Sequence, residues 1–176
     1  MKFRSESVIA HPRDAVFETY RDRLSEVAAY LDDIKAVNVL ARGEEDGLVT
    51  LHNEWIAARD VPPAFKAFIK PEQLAWDDHA TWDASAFRCQ FDIRTRVFTE
   101  HVRCTGTDQF VEVPQGTKVV LEGDFTLTLD SLPGVPSFLL KRMLPQIEQF
   151  IVGLIQPNLE KTNGAIGRFL DDQGRA

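Results

Sequence analysis

From Val135 to Leu170 the chain repeats apolar residues at intervals of three and four: Leu139, Met143, Ile147, Phe150, Ile151, Leu154 and Ile155. That spacing gathers them on one face of an α-helix. A helix this long runs roughly 50 Å, so its apolar face needs a broad floor. Strand-like sequence precedes it, and only a sheet can supply that floor. Pro145, Pro157 and Gly153 interrupt the helix. Pro157 removes the hydrogen bond to the carbonyl of residue 153, where glycine eases the crowding from the proline ring. The pair reads either as a hinge or as a static kink over a curved surface.

The preceding elements follow from periodicity and turn residues. Residues 2–10 alternate, with Phe3, Ser5, Ser7 and Ile9 on one side, and form a strand. His11-Pro12-Arg13-Asp14 opens a helix that carries Val16, Phe17 and Tyr20, and a second short helix spans Arg23 to Leu31. Val37, Val39 and Ala41 alternate up to a turn at Gly43–Gly47, then Val49, Leu51, Asn53 and Trp55 alternate back. Asp60 to Pro71 is a proline-bounded excursion with a helical turn on Phe65, Phe68 and Ile69. Strands over 73–83, 86–98, 101–113 and 117–129 complete a meander, and the polar tail from Asp171 is expected to fray. No repeat or linker divides the chain, which reads as one domain over 1–176.

Treating each turn as a tight hairpin fixes a register. It sets Trp82 opposite Phe87, Asp78 opposite Phe91, Phe91 opposite Asp108, Gly106 opposite Phe125 and Asp108 opposite Gly123. One apolar face results, while Arg88, Asp92, Arg94, Arg96, Arg103, Glu122 and Asp124 fall on the other. Gly106 and Gly123 on the inner face mark a bend, as glycine inside a strand commonly does.

Composition narrows the function classes. A net charge of −7 with a pI near 5.1 argues against a nucleic-acid partner, which clustered excess Lys and Arg would serve. The N-terminus lacks the apolar core of a signal peptide, and no apolar run is long enough to span a bilayer, which points to a cytoplasmic protein without stable membrane insertion. Cys89 and Cys104 are too few for a disulfide framework and read as reduced core residues. His11, His52, His79 and His101 lack metal-ligand spacing, and no phosphate-loop, dinucleotide or nucleophile-elbow motif occurs, so neither metal nor cofactor is expected.

Two residues stand out for chemistry. Asp78 and Asp108 both point inward in the derived register, roughly 9–10 Å apart across two strand spacings. Buried carboxylates need a partner, a raised pKa or a wet cavity. They are candidates for acid and base, or for holding a polar ligand group; the alternative is a bulge that turns them to solvent. Trp55, Trp76, Trp82, Phe87 and Phe91 share the inner face as pocket lining or as core packing. Asn53 is a hydrogen-bond candidate for a ligand or for a neighbouring backbone group. Arg96 facing Arg103 reads either as a site for an anion or a partner or as a solvated face on which Asp92 and Glu122 compensate the charge.

The element order, with Ile9, His11-Pro12, Val16-Phe17 and Tyr20 at the start, resembles the helix-grip fold of the START and birch-pollen-allergen superfamily. His11 stands where that superfamily usually has a small residue. The stretches DVPPAFKAF and LPGVPSF look closer to a bacterial branch of helix-grip domains of uncharacterised function. The resemblance implies an α+β helix-grip architecture: a curved seven-stranded antiparallel sheet around the long C-terminal helix, with two short helices between strands 1 and 2. It also implies a cavity for a small apolar or amphipathic ligand such as a lipid, sterol, quinone or polyketide. The walls would be Asn53, Trp55, Trp76, Trp82, Phe87, Phe91, Phe110 and Phe125 on the sheet, with Met143, Ile147, Phe150 and Leu154 on the helix. Three functions stay open: a binding or carrier protein, a cyclase- or hydrolase-like enzyme using Asp78 and Asp108, and an interaction module with a collapsed cavity.

Overall fold

The structure, a computed structural model, describes residues 1–63, 66, 69–131 and 137–175. Phe65, Phe68 and Val135, the last being the expected start of the closing helix, lie outside the described residues. Strand β1 (Lys2–Ile9) leads through Pro12 into helix α1 (Arg13–Asp22). The second short helix is α2 (Leu24–Val27), extended by a 3-10 turn at Ala28–Tyr30. Six strands follow: β2 (Ile34–Glu45), β3 (Leu48–Ala57), β4 (Ala75–Asp83), β5 (Arg88–Thr95), β6 (Val102–Val113) and β7 (Gly116–Leu127). Helix α3 (Ser137–Gln173) closes the chain. The strands form one antiparallel sheet in the order β1-β7-β6-β5-β4-β3-β2. This is the helix-grip architecture, with α1 and α2 between β1 and β2. Among the described residues no helix is long and apolar enough to cross a membrane.

The expected faces hold, but the registers shift. Trp82 pairs with Cys89 rather than Phe87, Asp78 with Ile93, Phe91 with Gly106, Cys89 with Asp108 and Gly106 with Gly123. Each hairpin is displaced by two residues. A one-residue slip would have exchanged the faces, whereas two preserve them. The cause lies in the turns. Between β4 and β5 the Asp83 carboxylate accepts from Ser85 N at 2.9 Å and Ala86 N at 3.1 Å, giving a four-residue connection. Phe87 therefore sits in the turn at φ 47° and not on a strand. Phe98, at φ 56°, similarly lengthens the β5–β6 connection. The β6–β7 turn is instead tighter than expected, with Val113 paired to Gly116 around Pro114-Gln115. The β2–β3 turn likewise shrinks to Asp46-Gly47, at φ 51° and 77°, the left-handed pair of a type I′ hairpin.

The two inner-face glycines, Gly106 and Gly123, face each other. A Cβ at position 106 would lie 2.2 Å from Glu122 O and 2.4 Å from Phe91 Cζ, and one at 123 would lie 2.2 Å from Phe3 Cζ. The missing side chains leave room for the tips of the Phe91 and Phe3 rings. Helix α3 buries Leu140, Ile147, Ile151, Leu154, Ile155, Ala165, Ile166 and Phe169 against this surface. Leu139, expected on the apolar face, is instead 38% exposed, because the stripe passes through Leu140.

The helix runs on to Gln173, past the expected start of a frayed tail. Asp171 there meets His11 Nε2 at 2.9 Å, and Asp172 accepts from Tyr30 Oη at 2.9 Å. His11 thus ties the start of α1 to the end of α3.

Candidate functional site

Between the concave face of the sheet and the helices lies a cavity of about 30 Å³, room for roughly two water molecules. Trp55, Asp78, Ala80, Trp82, Cys89, Phe91, Ile93 and Asp108 line it from β3 to β6. Tyr20 and Leu24 close it from α1 and α2, and Leu159 and Thr162 from α3. Clefts of about 560 Å³ beside Phe3 and about 600 Å³ beside Arg59 are larger but open to solvent and bordered by charged side chains.

Five of the expected residues meet at the cavity: Trp55, Asp78, Trp82, Phe91 and Asp108. The others surround it. Asn53 is buried and donates from Nδ2 to Asp78 Oδ2 at 3.5 Å. Trp76 stacks on Trp55 with ring centres 5.7 Å apart. Phe110 packs edge-on against Phe17 at 5.3 Å and Tyr20 at 5.4 Å. Phe87 packs against Phe17 from the turn, under the Arg13 guanidinium at 3.7 Å. Phe125, Ile147 and Leu154 are core residues, while Met143 and Phe150 are partly buried. The helix wall is a correction: the cavity faces Leu159 and Thr162, beyond Pro157, rather than the stretch from Met143 to Leu154.

The two carboxyls do not flank one Phe91. Asp78 pairs with Ile93 and Asp108 with Cys89, so they lie diagonally across β5. Strand geometry then puts their backbones roughly 16 Å apart rather than 9–10 Å. Both are buried, at 9% exposure each. Burial pushes Asp78 up to about 6, partly offset by Asn53 and the Trp55 indole. Burial also pushes Asp108 up to about 7, with the Asp78 charge adding to it. Desolvation disfavours the ionised form of an acid. The same burial raises the Cys89 thiol and the Tyr20 phenol well above their ordinary values.

Periodicity alone missed a polar stripe on α3. Asn158, Thr162 and Asn163 are buried, at 1%, 2% and 5% exposure. They continue the helical series through Ile151, Leu154 and Ile155, so polar residues falling on the apolar face were the available signal. Asn158 Nδ2 donates to Leu154 O at 2.8 Å and Thr162 Oγ1 to Asn158 O at 2.7 Å, each bond turning back one helical turn. Asn163 Oδ1 accepts from Tyr20 Oη at 2.9 Å. Several buried atoms remain without a hydrogen-bond partner among the described residues: Asn53 Oδ1, Trp55 Nε1, Asp78 Oδ1, Trp82 Nε1 and Asn158 Oδ1. Trp55 Nε1 influences the Asp78 carboxylate without closing a hydrogen bond of ordinary geometry.

On the convex face the arginines are paired. Arg96 holds Asp77 at 3.1 Å and Arg103 holds Asp92 at 2.7 Å, whereas Glu122 serves Arg4 rather than this cluster. His52 stacks on His79 at 4.2 Å and meets Asp77 at 2.9 Å.

No protein-family model matches the chain, and no curated protein sequence matches it. Solved structures do. TTHA0849 from Thermus thermophilus superposes with a TM-score of 0.64 at 21% identity, over 96% of this chain and 95% of that one. The Zhui aromatase/cyclase from Streptomyces sp. R1128 gives 0.64 at 15% identity, over 97% and 95%. Ara h 8.0201 gives 0.55 at 13% identity, over 98% of each chain. At these identities the likeness is one of architecture. The chain shares the helix-grip fold of these structures.

Proposed function

We propose that this chain binds a small hydrophobic or amphipathic ligand between the sheet and α3. The observation that carries the reading is an interior cavity with aromatic walls and several polar atoms left without partners. Such atoms cost free energy in a dry core, and a ligand with matching groups removes that cost. At about 30 Å³ the cavity is too small for such a ligand in this state, so binding requires α3 to part from the sheet. The Gly153–Pro157 step, where the proline removes a helical hydrogen bond next to the helix wall of the cavity, is the place for that movement. The reading favours carriage over catalysis, in a bacterial cytoplasm, with a lipid, quinone or polyketide-like molecule as the ligand.

Native mass spectrometry and lipid extraction of freshly purified protein test it. A co-purifying apolar molecule is expected. If extraction yields nothing and a thermal-shift screen of lipids and aromatics moves nothing, the reading fails and the small cavity favours an interaction module filled by its own aromatics. A cyclase- or hydrolase-like activity is the second reading, favoured by two buried carboxyls that titrate near neutrality. It requires turnover of a bound ligand that Asp78→Asn or Asp108→Asn abolishes.

A further inference from the structure

The cavity is acidic and contains no base. Asp78 and Asp108 both face it, and none of the described residues that line it is Lys, Arg or His. Elsewhere three partly buried carboxylates have cations: Asp33 has Arg59 and Lys161, Asp77 has Arg96, and Asp92 has Arg103. Those arginines on the sheet occupy its convex face and are already committed. Asp78 Oδ1, by contrast, has no hydrogen-bond partner among the described residues, and none of the described residues gives Asp78 an ion pair within 4 Å.

The walls point the same way. Tyr20, Trp55, Trp82 and Phe91 present aromatic rings around the two carboxyls. Aromatic faces attract cations electrostatically, more strongly where water is excluded. Trp55 Nε1 and Trp82 Nε1, 5% and 3% exposed as residues, also lack acceptors. An indole nitrogen can only donate, so these two groups call for a neutral acceptor on the ligand. A fatty acid or other anion fits poorly: its carboxylate would sit beside two acids with no counter-ion. A bare metal ion is also disfavoured, because no group of three or more His, Cys, Asp or Glu among the described residues could hold one.

We infer that the cavity selects ligands carrying a protonated amine on an apolar or aromatic body, with a neutral oxygen acceptor for the indole N–H groups. The amine would sit against Asp78, whose Oδ1 has no hydrogen-bond partner among the described residues, with Asp108 adding negative charge farther along the cavity, and the body between the tryptophans and α3. This inference rests on the ligand-binding reading and adds the charge of the ligand to it.

Three probes with one frame test it: 4-methoxyphenethylamine, 2-(4-methoxyphenyl)ethanol and 3-(4-methoxyphenyl)propanoic acid. Binding to the full chain at neutral pH is followed by calorimetry and by the fluorescence of its tryptophans. The amine is expected to bind at least about tenfold more tightly than the alcohol, a difference of about 1.4 kcal/mol, and the acid more weakly than either. Asp78→Asn with Asp108→Asn should erase the preference of amine over alcohol. The wild-type ranking needs no variant, so poor folding of the double variant leaves the inference testable. An alcohol that binds as tightly as the amine, or a preference for the acid, overturns the inference and leaves the ligand-binding reading standing. No binding by any of the three overturns the inference, while the ligand-binding reading is decided separately by the extraction and the thermal-shift screen.

Discussion

Arg59 donates from Nη1 to the Gly153 carbonyl at 3.1 Å, the carbonyl that Pro157 leaves without its helical partner. The same guanidinium holds both oxygens of Asp33, at 3.2 and 3.1 Å, and Asp33 also pairs with Lys161 one helical turn beyond the proline. The Gly153–Pro157 step of α3 is therefore braced from the sheet side by a residue just past the end of β3.

Arg59→Gln removes this brace. With Arg59 partly exposed, solvent screening limits the cost to about 1 kcal/mol, or roughly 2–4 °C in Tm for a chain of this size. Hydrogen exchange near Gly153 should quicken. In a Pro157→Ala background the restored N–H satisfies Gly153 O, so the same substitution should cost less. Equal costs in both backgrounds would mean that the arginine is not compensating for the proline.

Stability should fall as pH rises from about 4 to about 7. Asp78 and Asp108 have folded values of about 6 and about 7 against an ordinary 3.8. In that window the folded chain binds more protons than the unfolded one, so the slope is negative. Asp33 acts in the opposite sense, held down to about 2 by Arg59 and Lys161: its contribution is present above about 3.8 and lost as pH falls toward 2. Denaturant unfolding across pH 4–8 should show Asp108→Asn flattening the decline. A variant with the wild-type slope would remove Asp108 as its source.

Two glycines should respond with opposite signs. Gly106→Ala drives a Cβ into Glu122 O and the Phe91 ring, and overpacking of this kind costs about 1–3 kcal/mol. At Gly153 nothing lies within 4 Å of where an added methyl would sit, and alanine is the better helix former by about 0.8–1 kcal/mol. Gly153→Ala should therefore stabilise the chain and, if the Gly153–Pro157 step admits ligand, slow association. Thermal melts of the two variants decide the signs.

Tyr20→Phe removes the donor to Asn163 Oδ1 and leaves a buried acceptor unpaired. A cost of about 1–3 kcal/mol is expected, measured by chemical denaturation. Tyr20→Phe with Asn163→Leu should recover part of it, since removing both partners leaves no orphan.

Much of this architecture was legible because alternation and helical spacing report burial directly. Trp55, Asp78, Trp82, Phe91 and Asp108 fall on the inner face by parity alone, whatever the length of the turns. Which residue stands beside which was not legible, because it depends on local turn chemistry. Asp83 capping two backbone amides and Phe87 at positive φ carry no signal in hydrophobic period. The helix wall was missed for another reason. Asn158, Thr162 and Asn163 look like solvent-facing residues unless the apolar stripe is followed through them.

The displacement of these hairpins by pairs has a consequence for descent. A turn that gains or loses residues in twos keeps the carboxyls and tryptophans pointing inward while changing their neighbours. A single inserted residue would cast them out to solvent. Natural variation in such a chain can therefore rearrange the interior chemistry without rebuilding the wall, provided that its hairpins lengthen in even steps.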